Sequence, residues 1–309
     1  MKGPLFYAKI LLFGEYGIIK NSKGLSIPYN YYKGALRMDD SASEKAVSSN
    51  MKLREFAQHL ASLDTSLVQF ELDRLTADLD KGMYFDSSIP QGYGVGSSGA
   101  LVAAIYDRYA IEKITVLENL TRSKLAKLKT IFAAMESFFH GKSSGLDPLN
   151  SFLSLPILIH SKSDIEPTGI PSQSQHGKAA VFLLDSGMTS ETAPLVSIFL
   201  DNFEAPAFRK MMKDEFITIS DRCIEHFLKG NISALFLDVK KLSSVVLDHF
   251  SPMIPKRFLE LWKTGLDTNA YYLKLCGSGG GGYILGFTQD LPKAQALLSD
   301  HKLEVVYTF

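Results

Sequence analysis

Residues 90–101 read PQGYGVGSSGAL, the composition of a loop built to wrap an anion. Gly92, Gly94 and Gly96 alternate with other residues, so the backbone is free to take positive φ and aim several N–H groups at one point without Cβ interference. Ser97, Ser98 and Gly99 then open the run ALVAAIYDRYAI, where Leu101, Ile105 and Tyr109 recur at helical spacing. A loop that ends in a helix N-terminus brings unpaired N–H groups and the positive end of the dipole together, which favours a phosphate. No Gly-Lys-Ser/Thr closes the stretch, so it is not a Walker A loop. Gly94, Gly96 and Gly99 fit G-x-G-x-x-G, but the approach DSSIPQGY is polar and carries Pro90, and no strand runs straight into it as a dinucleotide fold requires. On this stretch alone, a flexible Gly/Ser connection before a helix stays open.

The chain around this loop has 309 residues, enough for about two domains at roughly 100 to 200 residues each, and its 46% hydrophobic content supplies real cores. Thirty-three basic side chains balance thirty-three acidic ones, so there is no electrostatic case for nucleic acid or an anionic membrane, and small ligands are the expected partners. Two cysteines, Cys223 and Cys276, make neither a disulfide framework nor a zinc site, which fits a reducing cytoplasm. The apolar opening LFYAKILLF is interrupted by Lys9 and followed by no small-residue cleavage site, and no run approaches the ~20 apolar residues of a membrane span. The expectation is a cytoplasmic protein with no membrane segment.

Residues 5–19 predict two apolar strands joined by a turn at Gly14 and Gly17, with Lys9 in mid-strand. Residues 50–63 predict a helix, and Val68, Phe70 and Leu72, alternating with Gln69, Glu71 and Asp73, predict a half-buried strand. Over residues 116–139, Leu117, Leu120, Leu125, Leu128, Ile131, Phe132, Met135 and Phe139 fall at helical spacing, and His140 and Gly141 end the helix. Glu136 lies on it, either on the apolar face with Phe132 and Phe139 or at a solvated edge, and Asp147 by itself reads as a helix cap. Residues 160–178, HSKSDIEPTGIPSQSQHGK, are polar and place a domain boundary near residue 170. Beyond it come a strand at 179–185, helical segments from about 191 to 264, strands at 271–276 and 283–287, a helix and a final strand. This βα…ββαβ order is a split-βαβ, ferredoxin-like arrangement with extra helices, so the class is α+β. Between two of these strands runs KLCGSGGGG, residues 274–282, either a flexible hairpin or a place where backbone approaches a ligand or the phosphate loop. His176, His226, His249, Cys223 and Trp262 form no constellation and read as structural.

The loop at 90–101 resembles the phosphate loop of the GHMP kinases, P-x-G-x-G-L/V-G-S-S-A/G-A. Pro90, Gly92, Gly94, Val95, Gly96, Ser97, Ser98, Gly99 and Ala100 meet its fixed positions, Gly99 replacing the commoner alanine. Lys9, Ile10, Leu11, Phe13, Gly14 and Glu15 align with the opening segment of mevalonate kinases, and Tyr16 stands where a histidine is usual. HGKSSGLDP, residues 140–148, resembles H-G-x-x-S-G-x-D through His140, Gly141, Ser144, Gly145 and Asp147, with Pro148 in place of asparagine or threonine. The offset of eleven between Glu136 and Asp147 also matches. Lys274–Gly282 is similar to the third motif, with Cys276 for threonine. Asp185, Ser186 and Gly187 resemble the D-T/S-G segment, without the arginine that usually follows, and leave Thr189, Ser190 and Thr192 as candidate substrate contacts.

The resemblance implies a two-domain GHMP kinase fold, an N-terminal α/β ATP-binding domain over 1–170 and a ferredoxin-like βαββαβ domain over 171–309. It implies an ATP- and Mg²⁺-dependent phosphotransferase with an alcohol acceptor, most like mevalonate kinase, making 5-phosphomevalonate for isoprenoid synthesis. Asp147 would be the base and Lys9 its partner. Ser98 and Glu136 would hold Mg²⁺, and Pro90, Gly92, Tyr93, Gly94, Val95, Gly96, Ser97, Ser98, Gly279 and Gly280 the nucleotide. Glu15, Tyr16, Ser144 and Gly145 would meet the substrate, mevalonate or a related hydroxy acid. A monomer or homodimer without nucleic acid is expected. The alternatives are another GHMP member (a phosphomevalonate or sugar kinase, or a diphosphomevalonate decarboxylase-like enzyme) and a non-catalytic nucleotide or metabolite sensor.

Overall fold

The computed structural model describes residues 4–39, 43–116, 120–162 and 164–309, so Leu117 of the predicted helical row lies outside the described residues. The strands are β1 (Phe6–Phe13), β2 (Gly24–Met38), β3 (Met83–Ser87), β4 (Ile157–Ile159), β5 (Ile165–Pro167), β6 (Ala180–Asp185), β7 (Tyr272–Leu275), β8 (Tyr283–Thr288) and β9 (Leu303–Thr308). The helices are α1 (Glu44–Ala61), α2 (Leu72–Asp80), α3 (Ser97–Tyr109), α4 (Arg122–His140), α5 (Leu146–Leu153), α6 (Thr192–Phe203), α7 (Pro206–Met211), α8 (Thr218–Leu228), α9 (Ile232–His249), α10 (Leu259–Thr268) and α11 (Leu291–Leu297). Two compact units share the chain. The first comprises 1–9, 27–90 and 96–155, and the second 10–26, 91–95 and 156–309.

In the first unit, the end of β2 pairs antiparallel with β3, from Gly34↔Ser87 to Met38↔Met83. Three helices form its core because their apolar residues recur every three or four positions: Leu53, Phe56 and Leu60 on α1, Ile105, Tyr106 and Tyr109 on α3, and Leu128, Ile131, Phe132 and Met135 on α4. Side chains of this size are worth roughly 1.5–3 kcal/mol each when fully buried. Ser43 caps α1 by accepting the Ala46 N–H, and Thr121 caps α4 by accepting the Lys124 N–H.

Two local expectations fail here. Residues 68–72 form no strand beyond a single bridge from Phe70 to Ala110. Asp64 accepts the Leu67 and Val68 N–H groups in a turn, and Leu72, Leu75 and Leu79, three and four apart, turn the segment into α2. The second apolar strand expected before residue 19 is instead a 3₁₀ turn at Gly17–Lys20. Gly14 at φ 112° and Tyr16 at φ 57° reverse the chain, and the next strand starts only at Gly24.

The second unit carries a four-stranded antiparallel sheet in the order β7-β8-β6-β9. Taken from β6 onward, the strands occur in sequence as first, second, third and fourth, so the sheet order is second, third, first, fourth, the split-βαβ arrangement expected from the sequence. β6 is AVFLLD, buried nearly throughout, as a central strand covered on both faces must be. Trp262 on α10 is fully buried and donates its indole N–H to Ser243 O at 3.0 Å, and His226 lies 3.5 Å from Asp238, whose carboxylate also takes Arg222. The start of β2 pairs with β4, and β4 with β5, in the sheet path β1-β2-β4-β5. Cys223 and Cys276 are both buried, and neither is in a disulfide. Among the described residues no helix is long and apolar enough to cross a membrane.

Candidate active site

Lys9 sits in the middle of β1, its side chain only 7% exposed, and its Nζ lies 3.0 Å from Asp147 Oδ1. A lysine in an apolar strand needs a counter-charge. Asp147 is the second residue of α5, placed by Gly145, which takes φ 71° as the N-cap. Gly145 has no room for a side chain, since a Cβ would fall 2.1 Å from Lys129 O on α4. The ion pair leaves Asp147 Oδ2 facing the phosphate loop: a Cβ on Gly96 would lie 3.8 Å from it and 3.0 Å from Lys9 Cγ.

Gly96 is the N-cap of α3 at φ 82° and offers no side chain to the first-turn N–H groups that follow. The helix thus begins at a residue that lies beside Lys9 and Asp147. The Ser98 hydroxyl donates to Glu136 Oε1 at 2.9 Å and lies 3.1 Å from His140 Nε2. Glu136 is buried, on the inner face of α4 rather than a solvated edge. Burial first, and then the nearby Asp147 carboxylate, push its acid up from the ordinary 4.5 to about 7. Lys9, Asp147, Ser98 and Glu136 thus share one region of the first unit, supported by His140 and Ser143.

Both departures in this region meet each other. A Cβ on Gly99 would lie 2.7 Å from Asp147 C and 2.7 Å from Pro148 N. Gly99, in place of the commoner alanine, lets the backbone at Asp147–Pro148 approach α3 more closely than any other residue would allow.

In the second unit, the first part of the loop lies against the glycine run. A Cβ on Gly94, at φ 76°, would meet Cys276 O at 2.9 Å, and one on Gly282 would meet Tyr93 Cα at 2.5 Å. Ser190 N–H donates to Gly92 O, and the rings of Tyr93 and Tyr283 stand edge to face at 5.0 Å. The glycines at 279–282 leave no room for side chains against the backbone and side chains they meet. Gly280 donates its N–H to Met253 O, and a Cβ on Gly279 would fall 2.5 Å from the same oxygen. Pro90 and Val95 flank the loop, Val95 fully buried.

Glu15 and Tyr16 also belong to the second unit. The Tyr16 hydroxyl donates to Ser278 O at 2.7 Å, its ring packs on Phe199 and Phe250, and burial raises its acid above the usual range. Glu15 Oε1 takes Lys274 Nζ at 2.5 Å, with both side chains nearly fully buried. Sequence reasoning missed this pair, though Lys274 carried the same signal as Lys9, one cation inside the apolar strand YYLKLC. It also missed Ser143, whose hydroxyl donates to Glu136 Oε2 at 2.5 Å. Ser144 sits on the exposed turn and accepts the Leu146 N–H at 3.4 Å.

Among the described residues no group of three or more His, Cys, Asp or Glu side chains is arranged to hold a metal. A hydroxyl and one buried carboxylate nevertheless fit Mg²⁺, which keeps several waters and takes its remaining oxygens from substrate phosphates. The raised acid of Glu136 marks a buried carboxylate that a cation would relieve.

Residues 61–154, which hold the loop, Ser98, Glu136 and Asp147, match the family model of the GHMP kinases N terminal domain. This stretch is a GHMP kinase N-terminal domain. The whole chain has the GHMP kinase fold. It is similar to the L. major mevalonate kinase in complex with R-mevalonate, at 17% identity and TM-score 0.67, covering 100% of this chain and 99% of that one. The Streptococcus pneumoniae phosphomevalonate kinase in complex with phosphomevalonate and AMPPNP is 12% identical, TM-score 0.62, with 100% and 99% covered. The Lactococcus lactis galactokinase with galactose is 12% identical, TM-score 0.58, with 98% and 92% covered. At these identities the likeness is one of fold. No curated protein matches by sequence.

Proposed function

We propose that the chain transfers the γ-phosphoryl group of ATP to the hydroxyl of a small molecule, with mevalonate the first acceptor to test. The observation that carries this reading is the Lys9–Asp147 pair beside Gly96, with Ser98 two residues on and bonded to Glu136. Phosphoryl transfer passes through a loose transition state, so the protein's share is positioning and charge compensation. Asp147 Oδ2 accepts the acceptor's hydroxyl proton while the oxygen attacks phosphorus and the bond to ADP breaks. Lys9 holds Oδ1, keeps the carboxylate oriented and offsets charge on the attacking oxygen. The N–H groups after Gly96, and those of Gly92, Tyr93, Gly94 and Val95, receive phosphate oxygens, with Pro90 fixing the chain's entry into the loop. Ser98 Oγ and Glu136 would hold Mg²⁺, which when bound neutralises charge on the phosphates.

Glu15, Tyr16, Ser144 and Gly145 are proposed on the acceptor side, and Gly279 and Gly280 on the nucleotide side. The relatives named above include kinases of mevalonate, phosphomevalonate and galactose, and the segment HGKSSGLD with LLFGE favours the first. A coupled assay of ADP release with mevalonate, phosphomevalonate and galactose tests the choice. Turnover with mevalonate well above the other two is the expected result. Turnover with phosphomevalonate or a sugar alone would refute the acceptor and leave the kinase.

A further inference from the structure

The second residue after Gly141 is unspecified in the H-G-x-x-S-G-x-D pattern, yet here it is Ser143, and its hydroxyl makes two hydrogen bonds. It donates to Glu136 Oε2 at 2.5 Å and accepts the Gly145 N–H at 3.0 Å. Glu136 Oε1 takes the Ser98 hydroxyl. Glu136 is only 4% exposed, so each of its oxygens depends on a donor supplied by the protein. The Gly145 N–H fixes one side of Ser143 Oγ and so directs its proton at the carboxylate. Gly145 is itself pinned against the backbone of α4 at Lys129 and Ala133, and it caps α5 two residues before Asp147. One hydroxyl therefore joins the carboxylate near the end of α4 to the turn from which Asp147 is presented.

We propose that Ser143 is a positioning residue that holds the Glu136 carboxylate in place for Mg²⁺ and fixes its setting relative to Asp147. This rests on the reading of Ser98 and Glu136 as the Mg²⁺ site. Partners that orient a metal-binding carboxylate typically contribute 10- to 100-fold in metal affinity.

The test is calorimetric binding of a non-hydrolysable ATP analogue to the full chain, with Mg²⁺ and with a chelator in its place, alongside kcat and KM for Mg·ATP. Ser143→Ala is expected to lower the ratio of the two affinities roughly tenfold, and Ser143→Thr, which keeps the hydroxyl, to restore it. An unchanged ratio in Ser143→Ala, or an equal loss in Ser143→Thr, overturns the proposal. So does a lowered melting temperature with the ratio intact, since that outcome makes the serine purely structural. A wild-type protein whose nucleotide affinity ignores Mg²⁺ refutes the metal site itself, a failure visible before any variant is made.

Discussion

Replacing Glu136 by glutamine should make the protein without ligand more stable at pH 8 relative to the wild type, and less so at pH 5. Glu136 is buried, and its acid is raised from 4.5 to about 7 by burial and by Asp147. The folded state therefore holds the proton more tightly than the unfolded chain. Stability from this group is fully present below about 4.5 and is lost as the pH rises through about 7. The displacement from 4.5 to about 7 corresponds to roughly 3 kcal/mol in all, and about 2–3 kcal/mol of it falls between pH 5 and pH 8. Glutamine fills the same space, does not titrate, and keeps an amide oxygen for one of the two serine hydroxyls. Chemical denaturation of both proteins at pH 5 and pH 8 in the presence of a chelator measures the change in their difference. A shift of about 2–3 kcal/mol in favour of the glutamine variant at pH 8 is expected. Parallel pH profiles would refute the buried, raised carboxylate and with it the physical reason for a cation there.

Asp147→Asn should bind a non-hydrolysable ATP analogue as the wild type does and lose roughly 10²–10⁴ of kcat, because the amide accepts no proton; turnover assays with analogue titrations check both halves. Gly99→Ala installs the residue commoner in the resembled motif, yet it should cost about 1–3 kcal/mol and lower kcat, since its Cβ enters the backbone at Asp147 and Pro148 at 2.7 Å. Lys274→Met removes the cation from the buried pair with Glu15 and should destabilise by about 3–5 kcal/mol. The added change Glu15→Gln should recover part of that in denaturation experiments, whereas additive losses would refute the coupling.

Much of the fold was legible because periodicity and glycine placement are local properties. β6 to β9, the C-terminal end of α4 and the helix after the phosphate loop all follow from residues close in sequence, whereas α4 begins at Arg122 and not at 116. Residues 68–72 misled because alternation over five residues is weak, and the leucines at 72, 75 and 79 extend a helical pattern that overrides it. The stretch before residue 19 misled because the chain reversal depends on Tyr16 at positive φ, a conformation its residue type does not advertise. For the candidate site, the loop glycines and Asp147 stood in recognisable segments. The close approach of Gly99 to Pro148, the pairing of Glu15 with Lys274 and the bond from Ser143 to Glu136 are tertiary. They join residues whose individual identities carry no sign of each other.

The most direct test of phosphoryl transfer at Asp147 follows the γ-phosphate itself. Wild-type protein is mixed with ATP, Mg²⁺ and mevalonate, and the products are read by phosphorus NMR, with Asp147→Asn as the control. A new phosphomonoester resonance growing in step with ADP, and suppressed in the control, is the predicted result. ADP accompanied only by inorganic phosphate, or equal product from wild type and Asp147→Asn, would contradict it.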